Sequence, residues 1–374
     1  MSTFRFVCCA DVRLDAPIQC LADGARARLS ELGRAAFRRV VDLCGEHRAD
    51  ALLVSGELFD EERLSLATED FLVEQVTRLV AGGTTLVLSG AKSACSSSLA
   101  WPHDRILWLG SGRGDVVVPD ANGKAIAQVV EAEDETGPDG PPVEPAAVVR
   151  RAPSPGALPA VFMPSARRLG ALMGRQFGEA GARGALAVVM PLRGEPEVAF
   201  HAFSPARWEV IELDDLAKIE DVAALQRLAT AAFHELRSQR SRAQIAPADG
   251  PAWMLRFVLR GACPAALSLQ SDELIEQAAG ELSESLSALC VELDADGVWR
   301  PLDYAAYQGQ PHLLGIALGV AGELAKGDDE LLLALSPDEL SGCSDPEAKR
   351  AYLRTLLRDA EHSVAEALLR EDVR

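Results

Sequence analysis

The sequence predicts an α/β protein whose first part is a doubly wound parallel sheet, and three features of the opening hundred residues predict it. Short apolar runs alternate with helical stretches, those stretches are long enough to form crossovers, and a polar segment follows each apolar run. Phe4 to Ala10 reads as the first strand. Ser30 to His47 follows as a helix, with Phe37, Val40, Val41 and Cys44 at helical spacing. Ala51 to Ser55 is the second strand. Thr68 to Ala81 repeats the helical pattern through Phe71, Leu72, Val76, Leu79 and Val80, and Thr84 to Leu88 is the third strand. Units of this length imply right-handed crossovers and parallel pairing. In such a sheet ligands bind at the carboxyl ends of the strands. The segments Asp11 to Asp15, Gly56 to Asp60 and Gly90 to Ser93 stand at those ends.

His103, just after Trp101 and Pro102, is expected in a surface loop that follows the third segment. From Glu131 to Pro159 the pattern dissolves into acidic and Pro/Gly-rich sequence holding seven of the chain's 21 prolines, a linker or loop. Strands are expected again at Ala185 to Met190, Glu197 to Phe203 and Trp208 to Leu213, then a helix from about Val222 to Arg237. A polar break from Ser238 to Gly250 precedes a strand at Trp253 to Arg260 and a helix from Asp272 to Cys290. Val291 to Leu293 and Val298 to Leu302 read as a hairpin turned by Asp294 to Gly297. The remainder is helical and ends in an amphipathic stretch from Asp345 to Arg370. The expected domains are 1–205, with the 131–159 linker inside it, a small α+β domain at 206–310, and C-terminal helices at 311–374.

Composition narrows the function. At 374 residues, 48% hydrophobic and 25% charged, the chain is long enough for two domains and has the make-up of a folded protein. Its net charge of -19 argues against a surface that grips DNA unaided, since phosphate binding draws on clustered Lys and Arg. Arg237, Arg240 and Arg242 form one small basic cluster, read as a solvated helix end. The eight cysteines are scattered without a Cys-x-x-Cys pair, which favours buried free thiols over a zinc site. Trp208, Trp253 and Trp299 lie in strand patterns and are expected in the core. The first apolar run, Phe6 to Ala10, is far shorter than a signal-peptide core or membrane span, so a reducing cytoplasm is the expected location and no membrane contact is expected.

The strand-end segments carry a resemblance. Phe4 through Asp11-Val12-Arg13-Leu14-Asp15-Ala16-Pro17 resembles an opening in which an apolar strand runs into Asp-Leu-His-Leu-Asp-Ser-Pro. Gly56-Glu57-Leu58-Phe59-Asp60 resembles Gly-Asp-Leu-Phe-Asp, and Gly90-Ala91-Lys92-Ser93 falls where Gly-Asn-His-Asp is expected. Similarity resumes at Gly174-Arg175-Gln176-Phe177-Gly178-Glu179-Ala180-Gly181 and at Ala206 to Leu213. These motifs resemble the SbcD/YhaO-type DNA-repair exonucleases of the calcineurin-like metallophosphoesterase class. The resemblance implies a metallophosphoesterase-like sandwich, a small α+β capping domain after it, and helices that clasp a coiled-coil ATPase of the SbcC/YhaN type.

Enzymes of that class hold two divalent metals roughly 3.5 to 4 Å apart, using imidazoles, carboxylates and an amide. Transferred position by position, Asp11 matches the first aspartate ligand and Arg13 replaces its histidine partner. Glu57 replaces the bridging aspartate, Ala91 the asparagine ligand, and Lys92 the histidine that assists the leaving group. No histidine occurs from Asp104 to Phe200, where the family places further ligands; His103 and His201 read as a loop and a strand residue. Arg13 and Lys92 are expected to pair with Asp11 and Glu57 in place of metal, while Asp15 and Asp60 cap a loop or helix start. The expectation is a catalytically inactive subunit without a cofactor, joined to DNA through its complex and forming a homodimer or a heterodimer with an active paralogue. The alternative is a residual metal-dependent exonuclease or phosphoesterase, in which Asp11, Glu57 and Asp60 hold a single Mg or Mn. Leu353, Leu356, Leu357, Ala360, Val364, Ala367 and Leu368 recur at helical spacing, and Leu353, Leu357, Ala360, Val364 and Leu368 are the expected partner-binding residues.

Overall fold

A computed structural model describes residues 3–18, 23–89, 94–110, 114–120, 122–131, 149–152, 158–164, 166–241, 251–301 and 313–326. The chain opens as β1 (Thr3–Ala10), α1 (Asp23–His47), β2 (Ala51–Ser55), α2 (Leu66–Ala81) and β3 (Thr85–Ser89). The short helix α3 (Ala94–Ser98) leads to β4 (Ile106–Leu109), β5 (Asp115–Pro119) and β6 (Ala125–Val130). Strands β4 to β6 lie beyond the Trp101 to His103 loop, in a stretch for which the sequence pattern predicts no element. Beyond them lie β7 (Ala160–Phe162), α4 (Ala166–Leu169), β8 (Gly184–Pro191) and β9 (Glu197–Ala202).

Six strands form a mixed sheet in the order β4-β3-β2-β1-β8-β9. The first four are parallel, and β8 runs antiparallel to both β1 and β9. Because β1 to β4 are laid down in one direction, right-handed crossovers put α1 and α2 on the same face. Phe37, Val40, Cys44, Phe71, Leu72 and Val76 pack there on Val7, Cys9, Leu52, Val54, Leu86 and Leu88. A second sheet, ordered β5-β6-β7, covers the opposite face through Val116, Val118, Ala127, Val129 and Val161. The doubly wound expectation is thus corrected: helices cover one face and a small sheet covers the other. Alternation explains the division, since Phe4, Phe6 and Cys8 of β1 face the small sheet while Val7 and Cys9 face the helices.

Helix α1 starts earlier than the expected Ser30, at Asp23. Its added turns bury Ala25 and Leu29 among Met173, Phe177 and Trp208. The later elements are β10 (Ala206–Leu213), α5 (Val222–Ser241), β11 (Ala252–Ala262), α6 (Asp272–Leu286), β12 (Cys290–Trp299) and α7 (Leu313–Lys326). Strands β10 to β12 form a three-stranded sheet in sequence order.

Two expectations fail in this region. Helix α6 stops at Leu286 because Ser287 takes φ 52° and Ala288 N–H turns back to the Ser283 carbonyl. The expected hairpin at Asp294 to Gly297 is one continuous strand, β12. Gly297 serves close approach instead of a turn, since a Cβ there would lie 2.9 Å from the Leu259 carbonyl oxygen. Trp208 and Trp253 are buried as expected, and Trp299 is half-buried. The chain divides into two compact units, one of residues 1–211, 228–257 and 276–293, the other of 212–227, 258–275 and 294–374.

Candidate functional site: an arginine between two carboxylates

Strands β1 and β2 continue past their ends as parallel partners and so build the site. Asp11 N–H donates to the Ser55 carbonyl, Arg13 N–H to Glu57, Leu14 N–H to Leu58, and Asp60 N–H to Leu14. Between these bonds the backbone takes an unusual course, with Asp11, Arg13 and Asp15 at φ 43°, 45° and 61°. A left-handed residue with a side chain costs roughly 1–2 kcal/mol, so three in five positions must be held by their surroundings. Val12 and Leu14, the alternate residues, anchor the segment by being 3% and 2% exposed. Gly56, at φ 72°, gives Asp11 its place: a Cβ there would lie 2.1 Å from Asp11 Oδ1. The Gly56 N–H donates to Ser89 Oγ, which ties in the end of β3.

Arg13 lies between the two acids, with Nε 3.6 Å from Asp11 Oδ1 and 3.5 Å from Glu57 Oε2. These are ion pairs without hydrogen bonds, and Nε has no hydrogen-bond partner among the described residues. The Arg13 side chain is 37% exposed and that of Glu57 66%, so the pairs contribute at most about 1 kcal/mol. Their consequence is occupancy more than stability.

Arg175 fixes the segment from below. Its guanidinium donates to the carbonyls of Ala16 at 2.8 Å and Val12 at 3.1 Å, and also to that of Arg13. Its own N–H donates to Glu179 Oε2 at 2.9 Å. Burial pushes the Arg175 guanidinium below its ordinary pKa, opposed by the nearby Glu179 carboxylate. In the sequence Arg175 is one residue of a motif with no role of its own, because its partners are backbone carbonyls 159 to 163 residues away.

The remaining acids at the strand ends are also engaged. Asp15 accepts from Ser65 N–H at 2.8 Å and Thr68 Oγ1 at 2.9 Å, and lies 3.9 Å from Arg34 Nη1. Asp60 accepts from Glu62 N–H at 2.9 Å and from Arg63 at 3.0 Å. Both match the expected capping roles. Asp60 is thereby engaged within its own loop. Ala91 and Lys92 lie outside the described residues, as do Leu353, Leu357, Ala360, Val364 and Leu368.

A guanidinium cannot ligate a metal cation and repels one. Among the described residues no three His, Cys, Asp or Glu side chains are grouped so as to hold a metal ion. The described residues around Asp11 therefore do not fit the paired-metal donor set that the resemblance implies. His103 is exposed in a short 3-10 turn, and His201 lies in β9 with its ring 5.1 Å from that of His47. Cys8, Cys9, Cys44, Cys263 and Cys290 are buried and take part in no disulfide among the described residues, and burial raises the Cys9 thiol to about 12. An open groove of about 660 Å³, lined by Asp42, Glu46, Asp50, Arg78 and Asp120, lies at the other ends of β2 and β3 and contains none of the strand-end residues. No described helix is long and apolar enough to cross a membrane.

No protein-family model matches the chain. Among curated proteins it is similar to the uncharacterized metallophosphoesterase YhaO of Bacillus subtilis, 34% identical over 82 residues. The match covers 21% of this chain and 20% of the Bacillus protein, so the chain has a partial, distant similarity to a metallophosphoesterase.

Proposed function

We propose that the chain is a non-catalytic subunit on a metallophosphoesterase-like scaffold, acting as a structural or binding component of a DNA repair or DNA-processing complex. The observation that carries this reading is Arg13, whose Nε lies 3.5–3.6 Å from the carboxylates of both Asp11 and Glu57. The positive charge between the acids is supplied by the chain itself. In-line phosphodiester cleavage by this class needs two metals and a group to protonate the leaving oxygen, each contributing several kcal/mol. The DNA role rests on the motif resemblance.

The alternative, a residual hydrolase around one Mg or Mn, draws on the exposure of Glu57, which leaves that carboxylate open to solvent. It would need Asp60 as a third oxygen donor, and Asp60 is bonded to Arg63 and Glu62 N–H. The purified chain is expected to leave single- and double-stranded DNA intact in Mg or Mn. Robust cleavage that disappears in Asp11→Ala would overturn the non-catalytic reading.

The proposed partner is an SbcC/YhaN-type coiled-coil ATPase, which would also supply the DNA contact that a chain of net charge -19 is poorly suited to make. Its proposed docking element is the apolar stripe through Leu353, Leu357, Ala360, Val364 and Leu368. Leu357→Asp with Val364→Asp is expected to abolish co-purification with the ATPase while the chain stays folded, because each charge buried in an interface costs several kcal/mol. Wild-type binding by the double variant would contradict the assignment.

A further inference from the structure

The register of β9 sets His201 opposite Ala185, which belongs to the core beneath α1 and α2. Opposed side chains share one face of a sheet, so the imidazole of His201 projects toward the helices beside a neighbour that ends at its Cβ. There it meets His47, the last residue of α1, with ring centroids 5.1 Å apart and ring planes at 77°. His201 Nε2 is buried and has no hydrogen-bond partner among the described residues. A buried polar nitrogen left in this way costs about 1–3 kcal/mol, so a group that satisfies it would be bound with that gain.

A metal ion shared by the two rings is such a group. Zinc takes imidazole nitrogens at about 2.0–2.1 Å in tetrahedral geometry, which puts the centroids of two rings on one ion about 5.2 Å apart. Edge-to-face rings without an ion span about 4.5–7 Å, so the separation fits both arrangements and the unpartnered nitrogen favours the ion. The surrounding charges allow a cation. Arg39, the guanidinium that bears on His201, is held through both terminal nitrogens by the Glu46 carboxylate, and Asp42 lies nearby. The site also lies at the carbonyl end of the 25-residue α1, the negative end of its dipole. Burial, His47 and Arg39 push His201 toward its neutral form against the pull of Glu46, and neutral imidazole is the form that ligates.

We propose that His47 and His201 together bind one zinc ion, with water in the remaining positions. Imidazole pairs suit Zn, Cu or Ni, whereas Mg and Mn prefer oxygen donors. Such an ion would tie the end of α1 to the edge strand β9, and with only two protein ligands it would exchange readily. The pair shares no residue with the Asp11–Arg13–Glu57 group, and its failure would leave that reading untouched.

Calorimetric titration of the purified chain with zinc chloride tests the pair. Binding is expected to weaken at least about tenfold in His47→Gln and in His201→Gln, since even loss of an outer-shell partner costs about 10–100-fold. His103→Gln, in an exposed turn, is expected to bind as the wild type does. His47 lies half-buried at a helix end, so its variant tests the site even if His201→Gln disturbs the sheet. Cobalt in place of zinc should give ligand-field absorption without a thiolate charge-transfer band, and both variants should lose it. A thiolate band would move the ion to the cysteines and overturn the proposal. So would zinc binding that survives both substitutions, or no binding by the wild type at millimolar zinc.

Discussion

Arg13 and Arg175 are both arginines at the end of β1, yet they do different physical work. Arg13 is partly exposed and adds little stability, but it places a fixed charge between two acids. Arg175 is 7% exposed and answers three carbonyls of the left-handed segment. Arg175→Met keeps much of the volume and removes those donors, so urea unfolding should show a loss of about 3 kcal/mol, the scale of hydrogen bonds to a charged group. Unchanged stability would mean that the segment holds its own shape. At this scale the sequence is partly legible. Arg13 stands out because a cation stands where the motif resemblance expects a histidine, and Asp15 and Asp60 have the short polar side chains of caps. Arg175 is not legible in its role, because a bond from a side chain to distant backbone leaves no pattern in the residues it reaches.

Helix α2 depends on a partner outside itself. Ser65 caps it, accepting from Thr68 N–H, and Asp15 holds both Ser65 N–H and the Thr68 hydroxyl. Asp15→Ala should therefore cost about 1–2 kcal/mol in the same unfolding measurement, as loss of a cap does. The start of β2 gives a pH-dependent case. Burial raises the Asp50 carboxyl above its ordinary 3.8, opposed by the hydrogen bond from Arg5 N–H. With the folded value above the unfolded one, the proton is bound more tightly in the folded state. Its stabilising effect is full below 3.8 and is lost as pH rises through the folded value. Asp50→Asn should flatten that part of the stability–pH curve, and an unchanged curve would contradict the burial argument. Element types follow from periodicity where one face is buried, as in α1 and α2, and from short apolar runs where both faces are covered, as in β1 to β3. The expected hairpin within β12 fails because Asp-Ala-Asp-Gly reads as a turn until the close approach of Leu259 to Gly297 is known. Contact with a neighbouring strand is not written in local sequence.

Across the whole molecule, a one-directional strand order gives the sheet its helical face and leaves the other for β5 to β7. Those strands are hard to foresee: β7 has three residues and follows a Pro-rich stretch, and no helix separates β5 from β6. The same architecture brings the ends of β1, β2 and β3 together, so it would suit a catalytic centre as well as an inert one. The side chains at those ends distinguish the two. The central claim is that an internal arginine takes the place of the metals, and anomalous scattering from crystals soaked in manganese tests it most directly. The account predicts no pair of peaks between Asp11 and Glu57, with Arg13 ordered between them. Two strong peaks beside Asp11, with Arg13 displaced, would contradict it.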